Sequence, residues 1–399
     1  MSALLVVAGE PSGDRMAAPV VQRLGASAVG VGGPALRRLD FQSLARIETL
    51  AEMGPDATLR ARSLLVTFMK LRGFVRRARP RAALLVGFSE FNARLGPWLR
   101  RRGVKVLWYS PPQVWAWRGG RAARLVHAAD HMALTLPFEE ALWRRHGANA
   151  SYVGHPALER IPALSDEQLT SLDGAPSGNE QPTSRGGARP EDERLDSPRG
   201  AATPAARPRI ALLPGSRAGE LKRHVPVLLA AERLLAAQGF ECALSAAEGL
   251  PPGAASWLQR EAQRAGVPIR PGDIASALNG AALSLVCSGT ASLEAALSGV
   301  PPVIFYRLEG LTGWVLRRVV STAHIGLPNV VLGRRAFPEL VGAEVTAARL
   351  TEAALGLLQA SAAARADCAE VRRHLTEPLT DPDVAPSARV AALLSGWLA

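Results

Sequence analysis

The sequence contains little cysteine and no long apolar run, and both absences narrow the class of protein. Its three cysteines, Cys242, Cys287 and Cys368, are far apart and form no CxxC pair. They therefore indicate neither a disulfide framework nor a structural zinc site, and they fit a reducing cytoplasm. No run approaches the ~20 apolar residues of a membrane-spanning helix. The opening Met1–Ala8 lacks a basic segment, so we interpret it as a first strand and not as a signal peptide.

Lysine is also scarce, and arginine supplies nearly all of the positive charge. Only three of the 47 basic residues are lysines, and the formal net charge is +12. Residues 1–164 alone hold 24 basic and 11 acidic residues, whereas residues 209–399 are nearly neutral. An arginine excess can reflect coding bias, or it can mark a surface that meets nucleic acid, a membrane or an acidic substrate. The position of the charge assigns any such role to the N-terminal third.

Residues 165–208 divide the chain into two halves of similar size. This stretch is rich in Pro, Gly, Ser, Asp, Glu and Arg and holds hardly any apolar residue. It cannot bury enough apolar surface to offset the entropy lost on ordering. We therefore predict a flexible linker between an N-terminal domain, 1–164, and a C-terminal domain, 209–399.

Both halves repeat a short apolar strand followed by an amphipathic helix, which is typical of parallel sheets covered on both faces. The sequence predicts an α/β protein with two Rossmann-like, doubly wound parallel-sheet domains that face each other across a cleft. Helices from about Thr346 onward would close the C-terminal domain. Ligands of such sheets bind at the carboxyl ends of the strands. The predicted strands are Ala3–Ala8, Val29–Val31, Ala82–Val86, Val104–Trp108, Met132–Leu136, Tyr152–Val153, Ile210–Leu213, Cys242–Leu244, Leu283–Val286 and Pro302–Phe305.

A loop with two glycines follows the first predicted strand. Glycine lets the backbone turn sharply and approach a ligand, and the helix start that follows favours an anion. An ordinary strand–helix turn, with Ser12 or Asp14 as the helix cap, would leave the same pattern. The loop is not GxGxxG, so it does not indicate a dinucleotide. The candidate cleft residues are Gly9, Glu10, Ser12, Gly13 and Asp14.

Two motifs of the C-terminal half indicate a pocket for a nucleoside diphosphate. Arg217 closes the segment Leu213–Arg217 and offers a planar donor fork suited to phosphate. Ser288–Glu294 follows a strand with small residues and hydroxyls, where a helix N-terminus presents free N–H groups. Glu294 lies about one turn later, where a carboxylate can accept the two hydroxyls of a ribose. A helix cap would explain the small residues but not the acid.

Two further segments allow more than one interpretation. The aromatic segment Tyr109–Arg118 is either a rigid core wall or a ligand surface. The amphipathic stretch Leu64–Arg81 either packs on the sheet or lies on an anionic membrane. His127 and His131 are four residues apart without a third ligand, so we predict no metal site. The apolar side of the amphipathic stretch holds Leu64, Leu65, Phe68, Met69, Leu71 and Val75.

Taken in order, these motifs resemble those of the lipid-A-disaccharide synthases, a family of inverting glycosyltransferases of the two-domain GT-B type. The combination of VWAWR, LPGSR and SGTASLE is specific, although no single motif is. The resemblance spans almost the whole chain outside the linker. The matching segments are Ala8–Asp14, Val29–Pro34, Glu90–Asn92, Tyr109–Arg118, Leu136–Glu139, Val153–Pro156, Leu212–Glu220, Ser288–Leu297, Phe305–Arg307 and Leu327–Asn329.

The resemblance implies a reaction between two acylated sugars. A UDP-linked 2,3-diacylglucosamine would donate its sugar to the 6-hydroxyl of a 2,3-diacylglucosamine 1-phosphate, giving a β-linked disaccharide and UDP. It implies no cofactor and no bound metal, because protein donors would hold the diphosphate. It also implies a cytoplasmic protein bound peripherally to the inner membrane of a Gram-negative bacterium. UDP would be held by Arg217, Ser288, Gly289, Thr290, Ala291, Glu294 and Asn329. The acceptor lipid would contact Leu64, Leu65, Phe68, Met69 and Leu71.

Glu90 is the general base that the resemblance implies. Inverting transfer needs one base to deprotonate the acceptor hydroxyl as it attacks C1. The family's base lies in a DxPDFN segment, which reads Gly87-Phe88-Ser89-Glu90-Phe91-Asn92 here. Gly87 and Glu90 therefore replace the two aspartates, and Arg81 stands at a further acidic position. Glutamate keeps the carboxylate but moves it by about one methylene, a shift that affects rate.

Two alternatives remain open on the sequence alone. Another UDP-sugar enzyme, either an epimerase or a glycosyltransferase with a different acceptor, would share the donor motifs. A non-catalytic homologue that binds lipid or nucleotide would fit Gly87 and Arg81 in place of acids. Nucleic acid is not an expected partner, because the basic helix lacks interleaved aromatic residues. The charge of the N-terminal third instead predicts peripheral membrane association that weakens with salt.

Overall fold

The computed structural model describes residues 4–47, 57–116, 119–162, 207–308 and 323–398. These residues form two parallel sheets, one in each half of the chain. The strands are β1 (Leu4–Ala8), β2 (Ala28–Gly32), β3 (Phe41–Arg46), β4 (Ala82–Val86), β5 (Lys105–Tyr109), β6 (His131–Leu134), β7 (Ala150–Tyr152), β8 (Arg209–Leu213), β9 (Glu241–Ala246), β10 (Ile269–Pro271), β11 (Ala281–Cys287), β12 (Pro302–Tyr306) and β13 (Glu339–Val341).

Both sheets are doubly wound, as the sequence predicts. The N-terminal sheet has the order β3-β2-β1-β4-β5-β6-β7, and the C-terminal sheet has the order β10-β9-β8-β11-β12-β13. Neighbouring strands run parallel throughout, for example with Leu5 opposite Ala83 in the β1–β4 pair and Ala211 opposite Ser284 in the β8–β11 pair. The α/β fold class with two parallel-sheet domains is therefore confirmed, and each of the ten predicted strands is present.

Helices connect the strands and cover both faces of each sheet. They are α1 (Pro11–Leu24), α2 (Ala57–Ala78), α3 (Ser89–Arg100), α4 (Ala122–Leu125), α5 (Glu139–Arg145), α6 (Ala157–Arg160), α7 (Ala218–Ala237), α8 (Pro252–Ala265), α9 (Ile274–Leu278), α10 (Thr290–Leu297), α11 (Leu327–Leu332), α12 (Ala347–Gln359), α13 (Ser361–Thr376) and α14 (Pro386–Leu398). Coverage on both faces explains why β1 and β4 are uninterrupted apolar runs with every residue buried.

Local sequence signals set the ends of α1, which positions the first candidate loop. Pro11 occupies its first turn, where a missing N–H costs nothing, and Gly25 follows its last residue at φ 57°. The helix buries Ala17, Val20 and Val21 against the sheet. Its N-terminus therefore points towards the carboxyl end of β1, where the sequence places the cleft.

Three strands were not predicted from the sequence, and each lies at the edge of a sheet. They are β3, β10 and β13. The residues of β3 are half-buried or exposed, and β10 has only three residues with two of them exposed. An edge strand has a neighbour on one side only, so its sequence need not be continuously apolar.

The last helix departs from the expected domain division. Instead of closing the C-terminal domain, α14 crosses to the N-terminal half and packs against α1, burying Val390, Ala391 and Leu394 with the β1 core. Its first turn is held by Glu159, whose carboxylate accepts hydrogen bonds from Arg23 at 2.9 Å and from the Ser387 hydroxyl at 2.7 Å. The two halves are therefore joined by the return of the chain as well as by the predicted linker.

Further contacts tie the two halves together at the end of the N-terminal domain. Arg372 of α13 donates to the carbonyls of Ile161 and Leu297, both at 2.9 Å. The Tyr152 hydroxyl donates to Leu375 O at 2.7 Å. Most of the predicted linker lies outside the described residues. Among the described helices, none combines the length and the apolar composition that crossing a bilayer requires.

Candidate active site

The four loops that carry the candidate residues lie where the strand order reverses. In the N-terminal sheet, β1 and β4 are neighbours from which the chain winds outward in opposite directions, and β8 and β11 are the equivalent pair in the C-terminal sheet. The loops after β1 and β4 carry Gly9 and Glu90, and the loops after β8 and β11 carry Arg217 and Ser288. A reversal of this kind opens a crevice at the carboxyl end of the sheet, which is where ligands bind.

In the N-terminal half, the loop after β1 packs tightly against the loop after β4. A Cβ on Gly9 would lie 2.3 Å from a ring carbon of Phe88, so only glycine fits there. A Cβ on Gly13 would lie 3.2 Å from Val86 O. Glu10 and Ser12 are exposed. The two glycines thus bring the start of α1 close to β4 while leaving these polar side chains accessible.

Asp14 differs from the rest of this loop because its side chain points into the protein. The carboxylate is buried and accepts backbone hydrogen bonds from Gly33 at 2.7 Å, Ala35 at 2.8 Å and Leu36 at 3.2 Å. Asp14 therefore shapes the turn after β2. The Asp14 carboxylate stabilises the backbone next to the candidate cleft and does not face a ligand.

Glu90 lies in the first turn of α3 with most of its carboxylate facing solvent. Its side chain is 62% exposed, and its Oε1 lies 2.6 Å from Arg121 Nη1. The helix begins after Phe88, whose backbone is left-handed at φ 46° and whose ring stacks on Phe91 with the centroids 4.8 Å apart. These contacts fix the start of α3 and hold Glu90 at the carboxyl edge of the sheet.

The aromatic segment after β5 is anchored by a buried acid that the sequence reasoning did not single out. Trp115 Nε1 donates to Glu139 Oε1 at 2.9 Å, and its ring meets Phe138 edge-on at 5.2 Å. Burial raises the pKa of Glu139 to about 7, against the lowering effect of its hydrogen bonds to Trp115 and to the backbone. The hydrogen bond to Glu139 and the contact with Phe138 thus fix the Trp115 ring from the interior of the protein. The next two residues of the motif, Trp117 and Arg118, lie outside the described residues.

In the C-terminal half, Arg217 stands at the N-terminus of α7. Its Nη1 lies 2.8 Å from Glu220 Oε1, while the side chain remains 77% exposed. The buried carboxylate of Glu220 also accepts from the backbone N–H groups of Ser216 and Arg217. The hydrogen bond that Arg217 donates to Glu220, together with the charges of Glu220 and Glu10, raises the pKa of the Arg217 guanidinium against the lowering effect of burial. Arg217 is therefore a preoriented cation, and the charge of Glu10 reaches it from the N-terminal half.

The segment Ser288–Ala291 forms the turn from β11 into α10. Gly289 has φ 150° and precedes the first helical residue, a conformation open to glycine and unfavourable for other residues. Gly289 and Thr290 are exposed, and the Ser288 hydroxyl donates to Ile325 O at 2.7 Å. This turn therefore leads into the N-terminus of an eight-residue helix, where the first backbone N–H groups have no intrahelical partner and can bind an anion.

Glu294 lies one turn into α10 and is paired with an arginine from the other half of the chain. Its buried side chain forms an ion pair with Arg160, the last residue of α6. The neighbouring Glu159 bonds Arg23 and Ser387 on the N-terminal side. Two consecutive residues of α6 therefore bind opposite halves of the molecule, and one of them occupies the carboxylate expected to meet a ribose.

Asn329 is buried, and every hydrogen-bonding group of its side-chain amide is in use. Its Nδ2 donates to Phe337 O at 2.8 Å and to Glu339 Oε1 at 2.9 Å, and its Oδ1 accepts from the backbone of Ala336 and Phe337. The side-chain amide therefore has no donor or acceptor left for a nucleotide in this arrangement. Asn329 instead positions the loop beside Ser288.

Two further residues that the sequence reasoning missed organise loops of the C-terminal half. Glu339 accepts from the backbone N–H groups of Ile325 at 3.0 Å and Gly326 at 2.9 Å. His224 Nδ1 lies 2.8 Å from Pro214 O, and its Nε2 accepts from Arg307 N at 3.3 Å. Burial lowers the pKa of His224, which fits a neutral ring between these partners. Their only sequence signal is a polar residue inside an apolar helix or strand.

The residues expected to contact lipid divide into two groups along α2. Leu71 is fully buried in the N-terminal core, and Leu64 and Phe68 pack partly against it. Leu65 and Met69 are 59% and 58% exposed, and Val66 beside them is also exposed. We call Leu65, Val66 and Met69 the apolar patch. Arg62, Lys70, Arg76 and Arg77 of the same helix are exposed near it.

Comparison with known proteins decides the family. The lipid-A-disaccharide synthetase model matches residues 4–173 and 191–383, and the gap between the two matches falls inside the predicted linker. The chain belongs to this family. The lipid-A-disaccharide synthase of Anaeromyxobacter dehalogenans strain 2CP-C is 35% identical over 386 residues, which cover 94% of each chain. That of Syntrophus aciditrophicus strain SB is 32% identical and covers 98% of this chain and 97% of its own.

Solved structures place the fold of this lipid-A-disaccharide synthase family member among the GT-B glycosyltransferases. The calicheamicin glycosyltransferase CalG4 aligns with a TM-score of 0.59 at 12% identity, covering 100% of this chain and 98% of that one. MurG of Acinetobacter baumannii aligns with a TM-score of 0.56 at 14% identity, covering 99% of each. A putative UDP-N-acetylglucosamine 2-epimerase from Listeria monocytogenes has a TM-score of 0.59 at 12% identity, covering 99% of this chain and 95% of that one. At such identities the likeness concerns the fold alone.

Within the described ranges, no three His, Cys, Asp or Glu side chains come together as metal ligands would. His131, one of the two histidines spaced four apart, is buried with its Nε2 2.8 Å from the Ser151 hydroxyl. It therefore already has a protein partner.

Proposed function

We propose that this protein joins two acylated glucosamines. A UDP-linked 2,3-diacylglucosamine donates its sugar to the 6-hydroxyl of a 2,3-diacylglucosamine 1-phosphate, giving the β-1,6-linked disaccharide 1-phosphate and UDP. One observation carries the proposal in a chain of this family. The exposed carboxylate of Glu90 and the exposed cation of Arg217 stand at the strand-order reversals of two sheets whose ends are joined by the Arg160–Glu294 pair.

The C-terminal half would hold the donor. Arg217 supplies a guanidinium fork for the diphosphate, and the N-terminus of α10 supplies the N–H groups of Gly289, Thr290 and Ala291. Glu294 would accept hydrogen bonds from the ribose hydroxyls once these hydroxyls displace Arg160 from part of the carboxylate. Ser288 and Asn329 act indirectly by fixing the loop at Ile325. These protein donors neutralise the diphosphate in a reaction for which we propose no bound metal.

The N-terminal half would supply the base and the acceptor. Glu90 takes the proton of the 6-hydroxyl as its oxygen attacks C1 from the face opposite UDP. The bond between that oxygen and C1 forms while the bond from C1 to the diphosphate oxygen breaks, so the electron pair and negative charge leave with UDP. Attack from the opposite face inverts the configuration at C1 and gives the β linkage.

The apolar patch of α2 would meet the acyl chains of the substrates at the membrane surface. Leu65, Val66 and Met69 are exposed apolar side chains on a helix that also presents exposed arginines. Apolar insertion combined with attraction to anionic headgroups is the usual basis of peripheral binding by a surface helix. We therefore propose that the protein works at the cytoplasmic face of the inner membrane, with attachment that weakens as salt increases.

Substituting Glu90 tests the proposed catalysis. Glu90→Gln should lower disaccharide formation by about 10²–10⁴-fold, the usual contribution of a general base. UDP binding, measured by calorimetry, should stay unchanged because the donor groups lie in the other half. Glu352→Gln, an exposed residue of α12, serves as the matched control and should retain full activity. Wild-type turnover in Glu90→Gln would remove Glu90 as the base.

A further inference from the structure

The ion pair between Arg121 and Glu90 is unequal in the exposure of its partners. The Arg121 side chain is 21% exposed, whereas the Glu90 carboxylate that it contacts at 2.6 Å is 62% exposed. An ion pair that only anchors a turn gains most when both partners are enclosed, because water and salt weaken an open pair. Here the cation is the more enclosed partner, and the anion is open to solvent.

The position of Arg121 places this cation beside the proposed base. It ends the short turn Gly119–Arg121, which follows the aromatic segment after β5. Strand β5 is the direct neighbour of β4, after which Glu90 follows. Arg121 therefore reaches the proposed base from the adjacent loop at the same edge of the sheet.

The acceptor of the proposed reaction brings an anion of its own to this edge. A phosphate monoester carries between one and two negative charges near neutral pH, and it has three acceptor oxygens. A guanidinium fork binds such a group through two parallel hydrogen bonds, which a single carboxylate oxygen at one Nη atom does not match.

We infer that Arg121 binds the phosphate of the acceptor, and that this phosphate displaces the Glu90 carboxylate from the Arg121 guanidinium. The inference rests on the proposed function, because the phosphate belongs to the acceptor named there. In the free protein the Glu90 carboxylate is bound to Arg121. When the phosphorylated sugar binds, its phosphate replaces the carboxylate at Arg121, and Glu90 becomes free to accept the proton of the 6-hydroxyl. Specificity for a phosphorylated acceptor and readiness of the base then depend on the same arginine.

A comparison of two acceptors measures this role. The rate constant kcat/KM is determined with diacylglucosamine 1-phosphate and with the corresponding 1-O-methyl glycoside, which lacks the phosphate. The wild-type protein should prefer the phosphorylated acceptor by about 10- to 100-fold, the range that charged hydrogen bonds supply. Arg121→Ala should lose this preference, and Arg121→Lys should keep part of it. Arg124→Ala, which removes an exposed arginine one turn later, should keep the wild-type preference.

A binding measurement separates phosphate recognition from a purely structural role and from the reaction itself. Arg121→Ala should weaken binding of the phosphorylated acceptor, whereas Glu90→Gln should strengthen it several-fold because the competing carboxylate is gone. Calorimetry or fluorescence titration with the acceptor in detergent gives both affinities without turnover. An undiminished preference for phosphate in Arg121→Ala, or equal losses with both acceptors, would overturn the inference. Absence of any disaccharide with the wild-type protein would instead count against the proposed function, and the binding data would still decide the role of Arg121.

Discussion

Two carboxylates that the proposed reaction uses are each held by an arginine of the N-terminal half. Glu90 is paired with Arg121, and Glu294 is paired with Arg160. Both arginines come from segments that follow a strand at the carboxyl edge of the N-terminal sheet. Substrate binding at either carboxylate must therefore compete with a protein cation, and that competition makes the affinity depend on the arginine as well as on the acid.

Removing Arg160 should strengthen nucleotide binding. In Arg160→Gln the carboxylate of Glu294 no longer has a charged partner, so the ribose need not displace one. The pair is partly exposed, and such pairs contribute about 1 kcal/mol, so we expect UDP to bind roughly fivefold more tightly. Calorimetric titration with UDP measures the change, and Arg264→Gln, which breaks an exposed pair on α8, is the control. Weaker UDP binding in Arg160→Gln would mean that Arg160 holds Glu294 in its ribose-binding position.

At the same scale, the sequence predicts which loops lie at the carboxyl edges of the sheets but not where their side chains point. Glu90, Arg217 and the turn at Gly289 stand exposed at the crevice. Asp14 and Asn329 were predicted at the same site, yet Asp14 binds backbone N–H groups, and the Asn329 amide binds backbone groups and Glu339, each inside its own half. Motif spacing cannot distinguish a polar side chain that binds a ligand from one that binds the backbone of its own loop, because buried backbone N–H and C=O groups also need hydrogen-bond partners.

At the scale of elements, the central strands were predictable, whereas three of the four edge strands were not. The strands β1 and β4 are continuous apolar runs because helices cover both of their faces, and β8 and β11 each contain one polar residue, Arg209 and Ser284. The edge strands β3, β10 and β13 lack that pattern. Helix α2 shows a similar limit of sequence prediction. The spacing of its apolar residues predicts an apolar face, but it does not predict which residues of that face are buried in the core. The structure places Leu71 inside and leaves Leu65 and Met69 outside.

The exposed apolar patch of α2 gives a prediction about membranes. The double substitution Leu65→Glu with Met69→Glu should lower binding to anionic phospholipid vesicles by at least about tenfold, since each buried apolar side chain contributes about 1.5–3 kcal/mol. The thermal unfolding midpoint should change little, because both side chains are exposed. Vesicle sedimentation measures the binding. Leu234→Glu, an exposed leucine of α7 in the other half, should bind vesicles as the wild type does, and equal binding by all three proteins would contradict a membrane role for α2.

At the scale of the whole molecule, the return of α14 to the N-terminal half changes how the two domains are related. Glu159 and Arg160 of α6 bind opposite halves, and Arg372 joins the end of the N-terminal domain to α10. The candidate loops of the two halves are therefore connected through a few polar contacts around α6. No local sequence pattern reveals such a crossing, because it depends on which apolar faces remain uncovered after both sheets have formed.

The configuration of the disaccharide tests the central claim most directly. The purified protein is incubated with the UDP-linked diacylglucosamine and the diacylglucosamine 1-phosphate, and the linkage and anomeric configuration of the product are determined by NMR. Transfer between the two halves by a single attack at C1 predicts a β-1,6-linked disaccharide 1-phosphate, formed in equal amount with UDP. An α-linked product, or consumption of the donor without any disaccharide, would contradict the account.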